Sequence, residues 1–94
     1  MRIESPEELG ELAWKFYLFV NDQSKLEVAT RWAKTAVDNL PEPAIIDTYA
    51  SLLFKQGKNK KAIELESKAL ELAKELYEDV SHFEYQLKRF KEAL

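Results

Sequence analysis

The sequence predicts an all-α fold of five helices, and three observations carry that reading. Apolar residues recur at spacings of three and four along nearly the whole chain. Only two Gly and three Pro punctuate its 94 residues, too few for the turns of a sandwich or barrel. No segment alternates apolar and polar residues as a half-buried strand does. Hydrophobic residues make up 46% of the chain, including two Trp, four Tyr and five Phe. That is enough for one shared core, so residues 1–94 are expected to form a single domain.

The first helix is predicted over 6–20. Ser5 offers an N-cap hydroxyl, Pro6 takes the first helical position, and Glu7 and Glu8 face the positive end of the helix dipole. Leu9, Leu12, Ala13, Phe16, Phe19 and Val20 then supply the apolar stripe. Asn21-Asp22-Gln23 breaks the pattern. Ser24-Lys25-Leu26-Glu27 reads as a capping box opening a second helix over 25–39, whose Ala29, Ala33 and Ala36 form a smooth stripe for close approach. Pro41 ends it, and the stiff Pro41-Glu42-Pro43 turn leads into a third helix over 43–56 with Ile46, Tyr49, Ala50, Leu53 and Phe54 on its apolar side. Gly57 is placed to stop that helix in a left-handed conformation. A fourth helix is predicted over 59–78. Ser81-His82-Phe83-Glu84 reads as another capping box, opening a last helix over 82–93 with a stripe of Phe83, Leu87, Phe90 and Leu94.

Charge and chemistry narrow the function. Net charge is −3, with −4 in residues 1–47 and +1 in 48–94, so neither half has the basic excess of a nucleic-acid binder. The run Lys55, Lys58, Lys60, Lys61 reads as a solvated turn. No stretch has the roughly 18 consecutive apolar residues of a membrane span, and the N-terminus lacks the apolar run of a secretory signal. There is no cysteine, hence no disulfide and no thiolate metal site or nucleophile. The single histidine, His82, falls in a helix start and reads as a solvated structural residue. The carboxylate pairs Glu7/Glu11 and Glu71/Glu75 lack a facing histidine or further acids to complete a metal site. No phosphate loop or serine elbow is present. The chain reads as a non-enzyme that needs neither cofactor nor metal.

A repeat underlies the pattern. Leu12-Ala13-x-x-Phe16-Tyr17 returns as Tyr49-Ala50-x-x-Leu53-Phe54, and Ala29, Ala33, Ala36-Val37 returns as Ala62, Glu66, Ala69-Leu70. A helix-turn-helix unit with a period near 34 resembles the tetratricopeptide repeat. The most specific stretch is Asp47-Thr48-Tyr49-Ala50-Ser51-Leu52-Leu53-Phe54-Lys55-Gln56-Gly57 followed by Ala62-Ile63. The pattern departs from the family in having Ala33 and Glu66 where an aromatic residue is usual, and Lys74 where a proline is usual. The combination Leu12-Ala13-Trp14, Trp32-Ala33-Lys34 and Asp47-Thr48-Tyr49-Ala50 is also similar to helical tails of some bacterial thioredoxin-like proteins.

The resemblance implies an α-α superhelix: one repeat over about 6–40, a second over about 43–78, and a capping helix over about 81–94. It further implies a protein-interaction module, an adaptor or scaffold, that takes a peptide or helix in a concave groove. Carried onto this sequence, the groove residues are Trp14, Tyr17 and Leu18 from the first unit and Asp47, Ser51, Phe54 and Lys55 from the second. Tyr85 and Lys88 of the last helix close it. The Lys and Asn clamp by which some relatives hold acidic chaperone tails is replaced here by Gly10, Trp14, Thr48 and Ser51. Two other readings stay open: a self-associating module, monomeric or weakly dimeric, and an accessory tail of a larger enzyme such as a thioredoxin-like protein. The compartment follows the same fork: cytoplasmic if Met1 is the native start, exported if the chain is a fragment.

Overall fold

Five helices account for most of residues 5–94, the part of the chain that the computed structural model describes. They are α1 (Pro6–Phe19), α2 (Gln23–Asn39), α3 (Pro43–Lys55), α4 (Asn59–Glu75) and α5 (Ser81–Glu92). No strand occurs among the described residues. Every bound lies within three residues of the sequence-based one, and the class is all-α as predicted. No helix among the described residues is long and apolar enough to cross a membrane.

The ends show which local signals decide. Ser5 caps α1 as expected, its Oγ accepting from the Glu8 amide at 3.1 Å. The capping box at Ser24 does not form. Asp22 takes that role, its Oδ1 accepting from the amides of Ser24 (2.9 Å) and Lys25 (3.2 Å), and α2 starts at Gln23. An ionised carboxylate is the stronger acceptor for free helix amides, and the Ser24 hydroxyl, donating to the same oxygen at 2.6 Å, together with the amides holds the Asp22 carboxyl below its ordinary range. The box at Ser81 is likewise replaced: Ser81 is already helical, and Asp79 accepts from its amide at 2.9 Å. Both α3 and α4 end in the same paired C-terminal motif. After α3, the amides of Gly57 and Lys58 donate back to Phe54 and Leu53. After α4, those of Tyr77 and Glu78 donate back to Lys74 and Ala73. The left-handed position is Gly57 (φ 83°) in the first case and Tyr77 (φ 57°) in the second, so α4 stops before the predicted residue 78.

The core is organised around α3, in which every residue from Ile45 to Leu53 is buried. It lies against α1, α2 and α4, and the most extensive contacts are those within the pairs α1/α2 and α3/α4. The alanine stripe makes this possible: Ala13, Ala29, Ala33, Ala36, Ala50, Ala62, Ala69 and Ala73 are all fully buried. Small side chains let helix axes approach where larger ones would hold them apart. Helix α5 closes the open side of α3 and α4. Phe90 joins the cluster containing Tyr49, Leu52 and Leu53, and Phe83 joins Ile46, Ala69 and Leu70. Burying each of these rings contributes about 1.5–3 kcal/mol. The predicted α5 stripe of Phe83, Leu87, Phe90 and Leu94 needs one correction: Gln86, outside it, is buried, while Leu87 is half-buried and Leu94 is exposed. Polar groups on α3 set that rotation.

Candidate functional site

Helices α1, α3 and α5 all begin at one end of the molecule and finish at the other, with α3 as the floor of a trench between its two neighbours. A cavity of about 440 Å³ at the starting end is lined by Glu7, Glu11 and Trp14 of α1, Ile45 and Thr48 of α3, and His82 and Phe83 of α5, among others. A second, of about 350 Å³, lies at the finishing end between Tyr17, Leu18, Phe54, Lys55 and Arg89. Beside the second cavity a strut crosses the trench: Arg89 Nη2 donates to Tyr17 Oη at 2.8 Å. Aromatic pairs stiffen both walls. Trp14 stacks on Tyr17 with centroids 4.9 Å apart, and Phe54 stacks on Phe90 at 4.4 Å. The Arg89 guanidinium lies over Phe54, and Lys55 lies over the Tyr17 ring while its ammonium donates to the Tyr17 carbonyl.

Beneath the trench runs a buried polar network joining α3, α4 and α5. Asp47 is only 4% exposed, with Oδ2 at 2.9 Å from His82 Nε2 and Oδ1 accepting from Gln86 Nε2 at 3.4 Å. Gln86 Nε2 also donates to Ser51 Oγ at 3.0 Å, and Gln86 Oε1 accepts from Arg89 Nε at 3.1 Å. Glu66 of α4 completes the network. It is fully buried, and as a carboxylate neither of its oxygens has a hydrogen-bond partner. Burial, then the neighbouring charge of Asp47 and a hydrogen bond with it, push the Glu66 carboxyl from an ordinary 4.5 up to about 10, against the pull of Arg89. At neutral pH Glu66 is therefore a neutral acid, its burial outweighing the pull of Arg89.

The sequence-predicted site residues divide three ways. Trp14, Tyr17, Leu18, Phe54 and Lys55 line the trench, half-buried except for the more exposed Leu18. Asp47 and Ser51 are on the predicted face of α3 but are buried and engaged by α5, so neither stands at an open edge of the groove. Tyr85 and Lys88 do not close the groove: Tyr85 is 64% exposed and Lys88 pairs with Glu92 on the outer side of α5. The α5 residues that do face α1 and α3 are His82, Gln86 and Arg89. His82 is thus no merely solvated residue. The signal that could have found this set is their own helical spacing, 82, 86 and 89, which runs beside the apolar stripe.

Composition alone would make Ser51, His82 and Asp47 a candidate triad. Geometry denies it: the Ser51 hydroxyl is sealed in the core and bonded to Gln86, with no contact to His82 that could remove its proton. No group of three metal-binding side chains gathers among the described residues. Compared with protein-family models, curated proteins and solved structures, the chain matches none.

Proposed function

We propose that this chain is a tetratricopeptide-like protein-interaction module that holds a peptide or helix along the trench of α1, α3 and α5, and that it is not an enzyme. The observation that carries the reading is the trench itself, a floor of buried α3 between two walls with solvent-accessible aromatic and charged side chains. Its cavities fall within or near the roughly 300–1,000 Å³ range of ligand pockets. Aromatic walls give contact area at low cost in side-chain entropy. The test is positional crosslinking. A photoreactive residue at Leu18 in the trench should yield discrete crosslinked partners in source cells, and one at Lys34 on the outer face of α2 should not. Equal crosslinking from both positions would remove the groove from consideration. Phe19 at the end of α1 is 79% exposed and favours a second reading, self-association. Light scattering of the parent and of Phe19→Ser separates the two, because only a dimer held there would dissociate.

A further inference from the structure

The starting end of the trench carries a pronounced charge. Glu7, Glu11 and Trp14 fall on one stripe of α1, and Glu42, at the N-cap of α3, faces them across the cavity. Glu42 makes no side-chain capping bond. Among the described residues no Lys, Arg or His lies within ion-pairing distance of Glu7, Glu11 or Glu42. Asp47 at the cavity floor is already answered by His82. The opposing term is the convergence of three helix starts, each equivalent to about +0.5 elementary charge and roughly +1.5 in all. Among the described residues the three carboxylates outweigh that, so the mouth they form is negative. Below it the lining is apolar: Ile45, Phe83 and Trp14.

An apolar wall under an anionic rim matches a side chain with an aliphatic stem and a cationic head, and a cation beside an indole ring gains further attraction. We infer that the cavity between Glu7, Glu11, Trp14 and Glu42 takes a lysine or arginine side chain of the bound peptide. This rests on the groove reading above and specifies what occupies its starting end. The other end, where Lys55 and Arg89 stand, gives the peptide a direction, with its basic residue toward the start of α3. The test is selection from a random linear peptide library on the intact chain, followed by titration of a selected peptide. Enriched peptides should share a lysine or arginine. Replacing that residue by glutamine, or making the triple variant Glu7→Gln, Glu11→Gln, Glu42→Gln, should weaken binding about tenfold, since each exposed charge contributes modestly. The helical circular-dichroism signal of the triple variant should match the parent. Peptides enriched without a basic residue, or an unchanged affinity in the triple variant, would overturn this inference and leave the groove standing. Failure to select any peptide that Leu18→Arg then loses would bring down both.

Discussion

Glu66 is the residue on which the interior chemistry turns. Unfolded, its carboxyl ionises near 4.5; folded, it keeps its proton to about 10. Stability that depends on the neutral form is therefore fully present below pH 4.5 and is lost as pH rises toward 10. Glu66→Gln keeps the volume but has no proton to lose. We expect the parent's melting temperature to fall between pH 5 and pH 9, and the variant's to fall less and to exceed the parent's in the upper half of that range. The two proteins differ only at residue 66, so the difference between the curves reports on Glu66. Parallel curves would place the ionisation elsewhere. This residue was hard to read in the sequence because a lone acid in an amphipathic helix normally faces water. The available hint was its place in the stripe Ala62, Glu66, Ala69, Ala73, where the core needs something small or neutral.

At the scale of elements, helix existence was legible and helix starts were less so. Periodicity marked all five segments and proline the start of α1 and the α2–α3 turn, because those signals are local and strong. The choice between Asp22 and Ser24, or between Asp79 and Ser81, depends on which side chain reaches the free amides first, a difference of two residues that pattern alone does not resolve. The rotation of α5 was legible only in part: Phe83 and Phe90 are where the stripe puts them, but Gln86 is drawn inward by Asp47 and Ser51, partners 35 or more residues away. The two matching helix ends offer a clean test. Tyr77 is 96% exposed yet holds the left-handed conformation that Gly57 holds without strain. A side chain in that conformation costs about 1–2 kcal/mol, and glycine returns part of it as added freedom of the unfolded chain. Tyr77→Gly should therefore raise stability by about 0.5–1 kcal/mol, read as a higher urea midpoint with unchanged slope. A lower midpoint would mean that Tyr77 makes a stabilising contact.

For the whole molecule, α5 is the piece that completes both the core and the trench. Ending the chain after Glu78 would expose the faces of Phe54 and Leu70 and strip Asp47, Ser51 and Glu66 of His82, Gln86 and Arg89. A buried polar group deprived of its partner costs about 1–3 kcal/mol, and two lost phenylalanine rings add to that, against a total of about 5–15 kcal/mol. The truncated chain should be unfolded or aggregated at room temperature, seen as loss of a cooperative thermal transition. A soluble truncation with a sharp transition would show that the first four helices suffice. The strut between Tyr17 and Arg89 also has a meaning in time. Most packing here joins helices adjacent in sequence, whereas this bond joins residues 72 positions apart, the greatest separation of any side-chain hydrogen bond among the described residues. Local contacts form early and distant ones wait for the chain between them to settle. We therefore expect the groove to be completed late as the chain folds, an order that mutational folding kinetics of Tyr17→Phe would check.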